Sequence, residues 1–235
     1  LLHPEFLAEL HRAATESGMP IACCRRVLFD DDAAPAPAPL TAKSILYHAP
    51  DHLDALLHNH GMDFGVWNKL YTADLPLENL LENDILYNED LMANWRIFLL
   101  AKGCVYLPFG GYLYRQHAAG MSHALPPQSL DDQRTAALRI RESVPAQWPA
   151  LQQSADAFYY EKLVYLTSMI LRRENTELYR VQYGEMLIAI SGGLKDRRLG
   201  RNPRLPFVMR LAAIATVHCP KLWRKVCRKY LKDRQ

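Results

Sequence analysis

At Pro126-Pro127 the periodicity of this chain changes, and that change limits the folds open to it more than any other feature. Beyond the two prolines only the 3.6-residue period of helices recurs, over residues 129–143, 154–173, 175–190 and 205–232. Pro220 interrupts the last of these and is expected to begin a new helix at its first turn. Before the prolines, strand-like and helix-like segments alternate. The expectation is an α/β portion over residues 1–125 and a helical extension over 126–235. With 235 residues, 49% of them hydrophobic, the chain can bury one sizeable core with such an appendage. It has no internal repeat of 20–50 residues.

Within the first portion, Phe6, Leu7, Leu10, Ala13 and Ala14 recur at helical spacing until Gly18. Residues 19–29 read as a buried strand. Residues 30–39 carry three acids and then alternating Ala and Pro, the composition of an extended surface loop. Leu53, Leu56 and Leu57 mark a helix over 50–60, and residues 63–71 a strand or extended segment. A short helix is expected at 77–81. Asn88 is placed to cap a helix whose face carries Leu91, Trp95 and Phe98 and which Gly103 ends. Residues 104–114 read as two strands around Gly110-Gly111. Gly61, Gly65 and Ser191-Gly192-Gly193 read as ordinary turns.

Three short segments follow one another in a telling order: Val66-Trp67-Asn68-Lys69-Leu70-Tyr71, Asn88-Glu89-Asp90, and Tyr112-Leu113-Tyr114-Arg115-Gln116-His117. Together they resemble the acceptor half of a family 2 glycosyltransferase, and His3-Pro4-Glu5-Phe6-Leu7 looks like a helix start in the same family. The resemblance implies part of a Rossmann-like domain. It also implies a donor-binding half, ending in an Asp-x-Asp metal motif, upstream of Leu1, and a divalent Mg or Mn ion in the intact parent enzyme. Residues 1–235 alone are then expected to be inactive, with an incomplete metal site. The implied partners are a nucleotide-sugar donor and a glycan or glycolipid acceptor. The implied reaction is a hexosyl transfer in bacterial envelope polysaccharide synthesis.

In that family a Glu-Asp pair at a helix start supplies the catalytic carboxylate, so the resemblance assigns the base to Asp90, with Glu89 beside it. A helix N-terminus favours an ionised carboxylate; for the same reason acids are common in first turns without any catalytic role. Trp67 or Tyr71 offers a flat face to a sugar ring, while Asn68 and Lys69 can reach hydroxyls or phosphate. An aromatic pair beside a lysine is also ordinary core packing with a snorkelling amine. By the same resemblance Arg115 pairs with the diphosphate or holds the catalytic loop, and His117 or His123 completes a metal shell. Nothing in the chain reads as a Gly-rich phosphate loop, a Gly-x-Ser-x-Gly elbow or a Ser-x-x-Lys.

Other features point to surroundings more than to chemistry. The five cysteines form no Cys-x-x-Cys pair, so free thiols in a reducing compartment are expected, with Cys23 and Cys24 buried in an apolar run. His48, His52, His58 and His60 cluster, but Pro50 breaks the register a zinc site needs. No apolar run of about 18 residues suggests a spanning helix, and no signal peptide is recognisable. Residues 195–235 hold 13 Lys/Arg against Asp196 and Asp233, whereas residues 1–194 hold 15 against 23 acids. Leu222, Trp223, Val226, Cys227 and Tyr230 share one face of a helix whose remainder is cationic. Residues 205–232 therefore suit an anionic membrane surface, which places the chain in the cytoplasm, peripherally on the inner face of the membrane. The same helix can equally pack its apolar face on its own domain. No recognised nucleic-acid motif accompanies the charge, so nucleic acid is not an expected partner. The rival to an enzyme is a non-catalytic membrane- or partner-binding module with a relic glycosyltransferase core.

Overall fold

Phe6, Leu10 and Ala13 bury one face of α1 (Phe6–Ser17), which stops at Gly18, whose φ of 64° is the left-handed conformation glycine adopts without a Cβ clash. The computed structural model describes residues 1–29, 43–58, 62–78, 80–81, 84–116 and 126–230. They fall into two compact units, Leu1–Ala124 and Leu125–Gln235.

In the first unit α1 leads into β1 (Ile21–Phe29), followed by β2 (Ile45–His48), α2 (Asp51–Leu57), β3 (Lys69–Tyr71), α3 (Glu89–Leu100) and β4 (Gly103–Arg115). The four strands make one mixed sheet in the order β2-β4-β1-β3, with β1 and β4 parallel and both outer pairings antiparallel. Side chains alternate across it. Ala22 and Cys24 of β1 join Val105 and Leu107 of β4 beneath Phe6, Leu10 and Ala13 of α1. Elsewhere in the unit α2 and α3 bury Leu53, Leu56, Leu91, Trp95 and Phe98, and buried His52 fastens the two helices by stacking on Phe98 and hydrogen-bonding its carbonyl at 2.7 Å.

The structure departs from several of these expectations. Residues 104–114 are not two strands but part of one, β4, whose register against β1 jumps from Cys24↔Leu107 to Arg26↔Tyr112. Pro108, which has no N–H to donate, lies in the skipped segment. The segment 77–81 forms no helix at its described residues; Leu77 and Leu81 are 42% and 61% exposed, so no buried face offsets the cost of nucleating so short a helix. Asn88 does precede α3, but in the left-handed conformation and with no side-chain capping bond. The expected strand over 63–71 is confined to β3. β2 has no counterpart in the sequence reading. The expected extended loop at 30–39 lies outside the described residues.

The second unit is helical throughout: α4 (Pro127–Glu142), α5 (Pro149–Arg172), a 3-10 turn at Glu177–Tyr179, α6 (Arg180–Lys195), α7 (Phe207–His218) and α8 (Pro220–Tyr230). α5 is its centre, buried along its length from Leu151 to Leu171 and packed against the four other helices. Pro149 and Pro220 each open a helix, where their missing N–H would be unpaired anyway. Ser191-Gly192-Gly193 is not a turn but part of α6, where buried Gly193 lies against the Tyr160 ring of α5.

Candidate active site

The chemistry-bearing residues of the first unit gather where the segment before β3 meets the start of α3. Residues 62–68 form a strap, and Lys69 explains why they do not continue the strand. Its side chain is 7% exposed and folds back, donating from Nζ to the Asp63 carbonyl (2.5 Å), the Gly65 carbonyl (2.6 Å) and Asn68 Oδ1 (2.9 Å). Those three acceptors use all three ammonium protons. A buried cation without such partners is strongly destabilising. Burial lowers the Lys69 pKa, and the nearby Asp63 carboxylate acts in the opposite direction. Fully buried Asn68 completes the anchorage, its Nδ2 donating to the Cys24 carbonyl at 2.7 Å while its own carbonyl accepts from Cys24 N–H.

Asp90 faces this strap from the first turn of α3. Its half-buried carboxylate lies near the Val66 backbone N–H. Burial raises its pKa from the ordinary aspartate value; the nearby Lys69 cation and Val66 N–H pull it down, and Asp63 pushes it up. One turn on, buried Asn94 donates from Nδ2 to the carbonyls of Phe64 (2.6 Å) and Asp90 (3.1 Å) and accepts the Tyr71 hydroxyl proton at 2.7 Å. Strap, β3 and helix start are thus one hydrogen-bonded body. Tyr71, a candidate sugar platform in the sequence, ties its hydroxyl into that body.

The strap's other flank carries an aromatic shelf. Trp67 lies on Gly65, where a Cβ would stand 2.2 Å from the indole, and meets Tyr112 at 4.2 Å and Tyr114 at 5.5 Å between ring centroids. Arg26 covers Trp67 and Tyr114 at 5.7 and 5.4 Å and pairs with Asp63 at 2.7 Å. Trp67, Tyr112 and Tyr114 are all partly exposed. Half-exposed rings beside charged groups suit the alternating apolar and hydroxylated faces of a sugar.

The structure therefore brings Trp67, Asn68, Lys69 and Asp90 together, with Glu89 beside Asp90 and half-exposed. It gives Asn68 and Lys69 internal partners, so they position the strap and do not reach outward. Arg115 stands at the far end of β4, exposed, its guanidinium 5.8 Å over the Phe29 ring. His117 and His123 lie outside the described residues, as does His60. Among the described residues no three His, Cys, Asp or Glu side chains converge on a possible metal site, and Asp63 is engaged by Arg26. The described residues thus supply no donor set for the expected divalent ion. Cys23 and Cys24 are fully buried, and burial pushes the Cys24 thiol up to about 12, which keeps it protonated.

Asn94, Asp63 and Arg26 were missed by the sequence reading. Asn94 had a signal, a polar residue within the apolar stripe of Leu91, Trp95 and Phe98. Arg26 had a weaker one, as part of an Arg pair inside an otherwise apolar strand. Asp63 had none, because its partner Arg26 lies far back in the chain, on β1.

No family model and no curated protein sequence matches this chain. A solved structure does: S. aureus TarS, residues 1–349, in complex with UDP-GlcNAc, at a TM-score of 0.62 and 13% identity. The match covers 98% of this chain and 64% of that one, so the chain spans less than two thirds of its structural neighbour. The fold is glycosyltransferase-like. It combines a partial Rossmann-like α/β portion with a helical C-terminal part.

Proposed function

We propose that this chain is the acceptor side of a family 2 glycosyltransferase that moves a sugar from a nucleotide donor to a hydroxyl of a glycan or glycolipid. The observation that carries the reading is Asp90: a half-buried carboxylate at a helix start, beside the Trp67 strap, with its pKa raised by burial. A base works best when its pKa approaches the working pH. In the proposed step the acceptor oxygen attacks the anomeric carbon, its proton passes to the Asp90 carboxylate, and the bond from that carbon to the diphosphate breaks. The nucleoside diphosphate departs with the bonding electrons. Trp67, Tyr112 and Tyr114 shelve the acceptor ring, Lys69 and Asn68 hold the strap, and Arg115 is the proposed cation toward the diphosphate. A divalent cation belongs to the same proposal, although the described residues supply no donor set for it.

The TarS complex makes UDP-GlcNAc the first donor to try. Incubated with UDP-GlcNAc, the protein is expected to release UDP only when a glycan or glycolipid acceptor is present. UDP release indifferent to every acceptor would reject transfer.

A further inference from the structure

Helix α7 is amphipathic in the inverse sense. It buries Ala212, Ala213 and Thr216 and turns Phe207, Val208, Leu211 and Ile214 outward, at 71%, 66%, 49% and 44% exposure. Those four follow at i, i+1, i+4 and i+7, which is one continuous stripe. Small residues inside and large apolar ones outside is the reverse of a helix content in water. Residue Leu222 of α8 adds a side chain 62% exposed, just past the Cys219-Pro220 junction.

Charge decides what covers the stripe. Residues 197–230 contain ten Lys/Arg and no Asp or Glu. Arg201 before the stripe and Lys221, Lys225 and Lys229 after it are exposed. α7 is only about 18 Å long, with Arg201 six residues before its start and Lys221 three residues after its end. A second copy of the chain would bring one such basic segment against another. A nucleic acid would meet the cations and leave the apolar side chains in water. An anionic leaflet satisfies both, because apolar side chains enter the acyl boundary while Lys and Arg stay among the headgroups.

We propose that the exposed stripe of α7, with the cations on either side of it, is a docking surface for an anionic lipid bilayer. Within residues 205–232 the surface is the α7 stripe and not the α8 face that the sequence singles out: in α8, Cys227 is buried and Trp223 and Val226 are half-buried, so most of that apolar face packs within its own unit. No described helix is long and apolar enough to cross a membrane, so the contact proposed is interfacial. The proposal stands apart from the transfer reading, and neither depends on the other.

Co-sedimentation of the full chain with phosphatidylcholine vesicles, with and without phosphatidylglycerol, tests it. Binding to the anionic vesicles is expected to be at least about tenfold tighter and to weaken as salt rises. L211Q/I214Q is expected to lose about tenfold or more, and K221Q/K225Q/K229Q roughly a hundredfold. All five side chains are exposed, so both variants should keep the wild-type circular dichroism spectrum and melting temperature. Equal binding to neutral and anionic vesicles, no binding to either, or binding untouched by L211Q/I214Q would each overturn the proposal. So would a lipid-free dimer that L211Q/I214Q disperses, or retention by RNA in preference to vesicles.

Discussion

Asn94 is the residue on which the geometry around Asp90 depends most. Its amide serves the Phe64 carbonyl, the Asp90 carbonyl and the Tyr71 hydroxyl at once, in a buried setting where an unpaired polar group is costly. Replacing it with the near-isosteric leucine strands two of those groups, and urea denaturation of Asn94→Leu should show a loss of roughly 2–4 kcal/mol. Tyr71→Phe, which removes a single donor, should lose only about 1 kcal/mol. Asp90 yields a pH prediction. Only the ionised carboxylate can take a proton, so turnover falls as pH drops through its pKa. Burial has raised that pKa, so the acid limb of kcat/KM should lie above the ordinary aspartate value. The Lys69 cation pulls the same pKa down, so in Lys69→Met the limb should move further up in pH. A limb that stays put or moves down in that variant would separate Lys69 from the Asp90 carboxylate.

Among elements, α6 offers the cleanest internal comparison. Gly192 and Gly193 are neighbours in one helix, yet a Cβ on Gly193 would stand 2.4 Å from the Tyr160 ring whereas one on Gly192 meets nothing within 4 Å. Gly193→Ala should therefore destabilise by roughly 1–3 kcal/mol through overpacking, and Gly192→Ala should stabilise by up to about 1 kcal/mol through helix propensity. Thermal denaturation of the pair distinguishes a packing glycine from a tolerated one. Neither role was legible in Ser191-Gly192-Gly193, because the sequence does not reveal that α5 passes so close. The same limit applied to β4, whose skipped register depends on its partner strand. Helices α1, α3 and α7 were legible, since each carries its own apolar period and its own stop or start signal. The strap before β3 was not: an aromatic-rich run with a lysine looks like a strand until Lys69 Nζ is seen to gather the Asp63 and Gly65 carbonyls.

For the molecule as a whole, the sequence carried the fold class, a mixed α/β portion with helices after it, because that follows from period and punctuation. It also named Trp67, Asn68, Lys69 and Asp90, which the fold brings together. It did not reveal that two of the four face inward, since burial of a polar side chain depends on partners far along the chain. The reading of the whole then rests on one carboxylate. The direct test is turnover and donor binding by the intact protein and its Asp90→Asn variant, with UDP-GlcNAc as donor probe and transfer followed as UDP release. The account predicts that the variant binds the donor as the wild type does and loses transfer by about a hundredfold or more, as removal of a general base does. Near-normal transfer by Asp90→Asn would contradict it.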